Sequence, residues 1–149
     1  RNLASLRRTM PGLCLTGVDL SAPMLDKARR RLGDHCAQAT LIDAAYAPNL
    51  LPEKSVDLVL FSYALSMFNP GWEEALDTAM THLRPGGMVG VVDFRSSPWG
   101  IFRAWMRANH VRMEDHLLPG LRTRFAPIHD ETRTAYFGLW RYFLFLGCV

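Results

Sequence analysis

Three aspartates stand at the ends of short apolar runs, and their carboxylates are the first groups in this sequence that could do chemistry. The runs are Leu13–Val18 before Asp19, Ala37–Ile42 before Asp43, and Met88–Val92 before Asp93. Parallel strands end at one edge of their sheet, and α/β proteins bind ligands beyond that edge. A carboxylate placed there can accept both hydroxyl protons of a ribose. The competing interpretation is that each aspartate only caps a loop or a helix start.

Helical periodicity separates these runs from one another. Apolar residues recur at helical spacing, and proline, glycine or a short polar residue marks the ends. The first two predicted helices are Leu3–Met10, ended by Pro11 and Gly12, and Met24–Leu32, capped by Ser21 and ended by Gly33. The third begins at Pro70 with Asn69 as cap and has an apolar stripe from Trp72 to Leu83, and the fourth is Trp99–Asn109, opened by Pro98. The segment Arg84–Gly87 is predicted to be a turn.

Two further patterns complete the predicted sheet. Val56–Phe61 is a fourth apolar run, and it ends in Ser62 and Tyr63 instead of an acid. The segments Arg122–Pro127 and Leu139–Gly147 are predicted to pair as a closing hairpin. Strands that alternate with helices predict an α/β fold, with a doubly wound, mostly parallel sheet and an antiparallel C-terminal hairpin.

Composition excludes several classes of protein. The 149 residues are 49% hydrophobic and 21% charged, which is typical of one globular domain rather than a disordered chain. Three scattered cysteines and five histidines lack metal-ligand or disulfide-framework spacing, so no metal is predicted and a cytoplasmic location is the default. The acidic middle of the chain argues against a nucleic-acid partner, whereas residues 95–149 carry eight arginines against four carboxylates.

Four segments together resemble the class I S-adenosylmethionine-dependent methyltransferases. They are Thr16–Ala28, Asp43–Ala44, Val56–Phe61 and Leu83–Asp93, in the order and spacing of that family. The resemblance implies a Rossmann-like fold and S-adenosylmethionine as cofactor. It further implies that Asp19 binds the cofactor ribose, that Leu20 and Met24 lie near the adenine, and that Asp43 faces the adenine amine beside the backbone of Ala44.

The same resemblance places the meeting point of donor and acceptor at Ser62 and Tyr63. The face of Tyr63 is the predicted partner of the sulfonium and of a quaternary product, because aromatic rings attract cations. His110 is the predicted helper in proton removal, against the alternative that a lone histidine is structural. Phe68 and Trp99 are secondary aromatic candidates.

One part of the family pattern is not found in these residues. The glycine-rich loop that holds the methionine end of the cofactor is missing, and Arg1–Leu3 matches the residues that often follow that loop in relatives. The expectation is therefore a single but incomplete methyltransferase domain over residues 1–149, without its first strand and glycine loop. Such a fragment is expected to be inactive alone and to bind the cofactor weakly or not at all.

A narrower resemblance concerns the acceptor. The segments Ser62–Trp72, Val92–Phe94 and Ala135–Tyr142 resemble the betaine-lipid branch, which N-methylates the homoserine head group of a diacylglyceryl lipid. This implies an amine acceptor on a lipid and peripheral contact with a membrane. The alternatives are a methyltransferase for a soluble small molecule, transfer of the cofactor's aminocarboxypropyl group, or a non-catalytic partner subunit that retains the fold.

The helix predicted at Trp99–Asn109 bears on this choice. Its sequence puts Phe102, Trp105 and Met106 on one face and Arg103 and Arg107 on another. One interpretation is a helix packed on the sheet with arginines outward. The other is an interfacial helix that lets the enzyme reach a lipid head group.

Overall fold

The structure is a computed structural model that describes residues 2–149, and its contacts fall into two compact units, Arg1–Ala47 and Pro48–Val149. The described part of the chain contains five α-helices and six strands. No helix within this part is long and apolar enough to cross a bilayer. The motif Arg1–Leu3 begins with a residue that lies outside the described range.

The first unit is a strand–helix–strand arrangement preceded by a helix. Its elements are α1 (Asn2–Thr9), β1 (Leu15–Asp19), α2 (Ala22–Leu32), a 3-10 turn (Gly33–Gln38) and β2 (Ala39–Asp43). β1 and β2 pair in parallel, in a register that runs from Leu15 opposite Ala39 to Asp19 opposite Asp43. This confirms the predicted parallel strands and the helix that connects them.

The second unit holds a mixed sheet. Its elements are β3 (Val56–Ser62), α3 (Trp72–His82), β4 (Leu83–Ser96), α4 (Gly100–Ala108), α5 (Leu117–Arg124), β5 (Ala126–Ala135) and β6 (Trp140–Cys148). The strand order is β3–β4–β6–β5; β3 and β4 are parallel, and β6 is antiparallel to both of its neighbours. The α/β class with an antiparallel C-terminal hairpin is therefore confirmed.

The core of the second unit lies where two helices cover this sheet. Fully buried side chains come from α3, α5, β4 and β6: Leu76, Ala79, Leu117, Leu118, Leu121, Val89, Phe143 and Phe145. Each large apolar side chain removed from water in this way contributes about 1.5–3 kcal/mol to stability. The buried residues of β6 alternate along the strand, as expected where one face of a strand covers a core.

The start of α3 differs from the prediction. The helix begins at Trp72 after Gly71, whose φ of 126° suits glycine, and not at Pro70 with Asn69 as cap. The amide of Asn69 instead donates a hydrogen bond to the carbonyl of Ser66, 2.6 Å away, and so stabilises the preceding loop. Ser21 is likewise no side-chain cap for α2, since no hydrogen bond from its side chain caps that helix.

The prediction of a strand at Arg122–Pro127 is wrong over its first half. Residues Leu117–Arg124 form α5, and β5 begins only at Ala126. The pair Pro119 and Gly120 suggests a turn, but Pro119 lies in the first helical turn, where a missing N–H costs nothing. Three buried leucines then favour the helix through tertiary packing, which local propensity does not register.

The predicted turn at Arg84–Gly87 is part of β4 in the structure. The strand begins at Leu83, and its pairing with β3 jumps from Leu83 opposite Val56 to Met88 opposite Leu58. The glycines therefore form an irregularity inside a long strand. At its other end β4 continues past Asp93 to Ser96, three residues further than the apolar run indicates.

Candidate active site

Asp19 and Asp43 lie side by side in the first unit, as the sequence predicts. They are opposite each other in the register of β1 and β2, at the carboxyl ends of two parallel strands. Oδ1 of Asp19 accepts the backbone N–H of Ser21 at 2.8 Å. Oδ2 of Asp19 has no hydrogen-bond partner within residues 2–149. The pair thus offers charged acceptors for hydroxyl or amine protons at one sheet edge.

Two apolar side chains flank this pair without joining a core. Leu20, directly after Asp19, is 72% exposed, and Met24 in the first turn of α2 is 53% exposed. Ala44 follows Asp43 and is half-buried. Exposed apolar residues are common singly, but two of them beside a carboxylate pair form a surface on which a flat ring can lie.

Ser62 and Tyr63 end β3 in the second unit, and the backbone of Tyr63 is unusual. Its φ is 53°, in the left-handed region that bulky residues rarely adopt. The N–H of Tyr63 donates to the carbonyl of Val92 at 2.8 Å, and the Tyr63 ring lies 4.8 Å from the Phe94 ring. The turn therefore points the aromatic side chain along the carboxyl edge of β3 and β4. Backbone strain of this kind is found most often at ligand sites.

The ionisation of Tyr63 limits what it can do. Burial raises the pKa of its phenol, and Tyr142, Asp93 and Tyr136 raise that pKa further. The phenol is therefore protonated at neutral pH and cannot act as a general base. It can donate a hydrogen bond and present an aromatic face to a cation.

Asp93 has a different role from the one that its place after an apolar run indicates. It is fully buried; its carboxylate accepts the N–H of Ser66 at 3.1 Å and the N–H of Phe94 at 2.7 Å. Burial raises the pKa of this carboxyl group, and the hydrogen bonds from Ser66 and Phe94 offset part of that rise. The Asp93 side chain is closed off from solvent, and it links the end of β4 to the 3-10 turn that follows Tyr63.

His110 lies apart from this group of residues. It is exposed, in the turn after α4, with a φ of 63°, and its N–H donates to the carbonyl of Arg107. No hydrogen bond or ring contact joins His110 to Tyr63 in the part of the chain that the structure describes. Its role in proton removal stays a prediction.

A cavity that sequence patterns did not indicate lies just beyond β4. It has a volume of about 330 Å³ and is lined by Ser96, Ser97, Arg103, Arg107, Val111, Met113, Glu114 and Asp115. The segment after α4 folds back onto the strand end, where the N–H of Asp115 donates to the carbonyl of Arg95. Only this tertiary return brings the lining residues together, so spacing in the sequence could not reveal them.

The predicted apolar face of α4 divides in two. Phe102 stacks on Trp140, with ring centres 5.7 Å apart, and Met106 is buried, so these two side chains belong to the core. Trp105 is 60% exposed and does not share that burial, because it lies at the edge of the packed face.

Further apolar side chains at the start of α4 and in the turn before β6 are exposed. Ile101 is 90% exposed, Trp99 is mostly exposed, and the turn Tyr136–Gly138 exposes Tyr136 and Phe137. Trp140 connects α4 with this turn, because its ring contacts both Phe102 on α4 and Tyr136 in the turn. We call the five residues Trp99, Ile101, Trp105, Tyr136 and Phe137 the exposed aromatic face.

Neither metal nor disulfide chemistry is supported by the residues that the structure describes. No cluster of three or more histidine, cysteine or acidic side chains among residues 2–149 could hold a metal ion. Cys14, Cys36 and Cys148 are free. The polar groups considered below are the carboxylate pair of the first unit, and Tyr63 and the cavity of the second.

In Rossmann-like α/β folds, ligands bind beyond the carboxyl ends of the parallel strands, which is where Asp19 and Asp43 lie. The sequence family identifies the class of this chain further. Residues 1–87 match the family described as methyltransferase domain, so the chain belongs to that family. The demethylmenaquinone methyltransferase of Thermus thermophilus is 29% identical over 97 residues, which are 65% of this chain and 44% of that protein. The chain thus spans less than half the length of this curated relative.

Solved structures agree on the fold. One is the 1,6-didemethyltoxoflavin-N1-methyltransferase of Burkholderia thailandensis, solved with 1,6-didemethyltoxoflavin and S-adenosylhomocysteine. Its TM-score is 0.72 at 19% identity, and the matched region covers 99% of this chain and 65% of that enzyme. Another is the geranyl diphosphate C-methyltransferase of Streptomyces coelicolor, solved with Mg²⁺, geranyl diphosphate and S-adenosylhomocysteine. Its TM-score is 0.78 at 11% identity, and the matched region covers 98% of this chain and 66% of that enzyme. At these identities the likeness shows the fold alone.

Proposed function

We propose that this protein uses S-adenosylmethionine to methylate an amine, and that the amine belongs to a lipid head group. Residues 1–149 would then belong to one methyltransferase domain. The observation that carries the cofactor assignment is the juxtaposition of Asp19 and Asp43 at one sheet edge, with exposed Leu20 and Met24 beside them. Family membership and relatives solved with S-adenosylhomocysteine support the same cofactor.

The carboxylate pair suits the nucleoside half of this cofactor. The carboxylate of Asp19 would accept hydrogen bonds from the ribose hydroxyls, since it is positioned at the strand end and needs only exchange its bond to Ser21. The adenine ring would lie against Leu20 and Met24, with its amine donating to Asp43 and backbone contact from Ala44. Ser62, at the carboxyl end of β3 in the second unit, is the remaining residue that we propose contacts the cofactor.

The chemistry needs an electrophilic methyl group, and bound S-adenosylmethionine supplies one on its sulfonium. The chain's own task is to hold a neutral amine in line with that methyl group, about 3 Å away, and to exclude water. Tyr63 suits this task because its phenol is protonated and its ring is fixed by Phe94 and by the strained turn. His110 remains the candidate for accepting the proton that the amine loses.

The lipid acceptor is favoured by the exposed aromatic face. Aromatic and branched apolar side chains next to arginines are typical of segments that lie in a membrane interface. The excess of eight arginines over four carboxylates in residues 95–149 would add attraction to anionic lipids, by roughly 1 kcal/mol for each positive charge in excess that reaches the surface. The protein would therefore work in the cytoplasm, at the membrane surface. A soluble small-molecule acceptor is the second candidate, supported by the 1,6-didemethyltoxoflavin that is bound in one structural relative.

Product mass tests the proposed reaction. The protein at its natural length is incubated with S-adenosylmethionine and either phosphatidylethanolamine vesicles or ethanolamine in solution. A mass gain of one or more methyl groups on the vesicle lipid is the expected result. The heavier aminocarboxypropyl adduct, a product from soluble ethanolamine alone, or cofactor binding without any product would each contradict the proposal, the last of these favouring a non-catalytic subunit.

Trp105→Ala tests the membrane contact separately. Since Trp105 is mostly exposed, the substitution is expected to lower the free energy of unfolding by less than about 1 kcal/mol. Loss of an interfacial aromatic ring should weaken the binding free energy to anionic vesicles by about 1–2 kcal/mol, roughly five- to thirtyfold in the dissociation constant. Sedimentation with the vesicles measures this binding. Melting temperature and vesicle binding are measured on the same preparations.

A matched pair of isoleucines controls for general loss of apolar surface. Ile101 belongs to the exposed aromatic face, whereas Ile128 is 56% exposed on β5. Ile101→Ala should weaken vesicle binding, and Ile128→Ala should leave it unchanged. Equal effects of the two isoleucine variants, or a large fall in melting temperature for Trp105→Ala with no vesicle binding by the wild type, would remove the support for a lipid acceptor.

A further inference from the structure

The cavity beyond β4 carries charged side chains that the proposed reaction has not used. Arg103 and Arg107 line it from α4, and Glu114 and Asp115 line it from the segment that folds back. Val111 and Met113 form an apolar part of the wall, and both are nearly buried.

Both carboxylates at the cavity are already neutralised. Arg95 binds Asp115 through two parallel hydrogen bonds of 2.8 and 2.9 Å. Glu114 accepts from Arg112 at 2.7 Å and from Arg107 at 2.8 Å. Four arginines, counting Arg103, therefore surround two carboxylates, and the region has a surplus of positive charge.

Arg103 is the arginine at this cavity whose guanidinium still has N–H donors available for a ligand. It has no carboxylate partner among residues 2–149, and its one hydrogen bond, from Nη1 to the carbonyl of Ser97, is 2.5 Å long. Nη2 and Nε keep their N–H donors. The acceptor end of this bond is fixed, because the hydroxyl of Ser97 donates to the carbonyl of Leu139 and accepts the N–H of Trp99. A guanidinium held in this way is suited to bind a carboxylate or phosphate with two hydrogen bonds.

We propose that this cavity binds an anionic group, phosphate or carboxylate, of the same molecule whose amine is methylated. The proposal rests on the proposed function, and it narrows the acceptor to amines that also carry an acid. Its position supports this, since the Tyr63 ring contacts Phe94, and Ser96 of the cavity follows Phe94 by two residues on the same strand end. The anion would fix the acceptor at Arg103 while its amine lies beside Tyr63.

Inorganic phosphate is the probe that tests the site without cofactor or acceptor. Its binding to the protein at natural length is measured by calorimetry at constant ionic strength, for the wild type and for Arg103→Gln. The expected result is saturable binding that Arg103→Gln weakens at least tenfold, the loss of one charge-assisted bidentate contact. The control is Arg84→Gln, at the opposite end of β4, where an exposed arginine pairs with Asp57. This control should change phosphate affinity less than twofold.

Methylation assays then separate the sources of the anion. Phosphoethanolamine carries it in solution, phosphatidylethanolamine vesicles carry it in a lipid, and ethanolamine lacks it. Arg103→Gln should raise KM at least tenfold for whichever phosphate-bearing acceptor is used, with S-adenosylhomocysteine affinity unchanged. Absence of saturable phosphate binding, or equal loss in Arg103→Gln and Arg84→Gln, would overturn the anion site. Loss of the proposed function would instead appear as failure to bind S-adenosylhomocysteine, with phosphate binding intact.

Discussion

Asp19→Ala is expected to weaken the binding of S-adenosylhomocysteine by about 1–3 kcal/mol, roughly five- to 150-fold. The ribose hydroxyls would lose a charged acceptor, and hydrogen bonds to charged groups are the stronger ones. Because Asp19 is only partly buried and its single internal bond goes to the N–H of Ser21, the fold should tolerate the change. Calorimetry on the protein at its natural length gives the dissociation constant directly.

The matched control for this change is Asp26→Ala. Asp26 is an exposed carboxylate of the same unit that pairs with Arg29 on α2, away from the strand end. Its removal should leave the dissociation constant within twofold of the wild type. If Asp19→Ala and Asp26→Ala had the same affinity, Asp19 would serve only to hold the loop at Ser21, and the cofactor assignment would lose its main support.

Asp93→Ala is expected to lower the free energy of unfolding by about 2–5 kcal/mol. The carboxylate accepts two buried or half-buried backbone N–H groups, those of Ser66 and Phe94, and each donor left without a partner costs about 1–3 kcal/mol. Denaturation with urea measures the change. Asp57→Ala is the control, since Asp57 is an exposed carboxylate paired with Arg84 and should contribute less than about 1 kcal/mol.

The pH dependence of stability gives a second signature of Asp93. Burial raises its pKa, so the folded state holds this proton more tightly than the unfolded state. Its contribution to stability is therefore fully present below the ordinary aspartate pKa and is lost as pH rises through the raised value. Asp93→Asn should remove this decline, so the stability difference between wild type and variant should shrink as pH rises. An unchanged pH profile in Asp93→Asn would contradict the assignment.

The strands and the carboxylate pair were predictable because they depend on local pattern. The short apolar runs ended by aspartates are sufficient to predict the positions of β1, β2 and β4 in the sequence. The parallel register of β1 and β2 then brings Asp19 and Asp43 together. The hairpin of β5 and β6 was predictable in its second strand, where apolar residues are dense.

The remaining features depend on contacts that are distant in the sequence. Helix α5 forms around Pro119 and Gly120 because its leucines pack into a core, and β5 is mostly polar because most of its residues are exposed. The left-handed turn at Tyr63 leaves no signal of the kind that a glycine would give. The cavity at Arg103 requires the return of residues 111–115 to the end of β4.

A crystal structure of the protein at its natural length with S-adenosylhomocysteine tests the central assignment most directly. The Asp19 carboxylate is expected to lie within hydrogen-bond distance of the ribose hydroxyls, with the adenine against Leu20 and Met24 and the adenine amine donating to Asp43. A bound ribose that contacts neither Asp19 nor Asp43, with Asp19 still bonded only to Ser21, would contradict it.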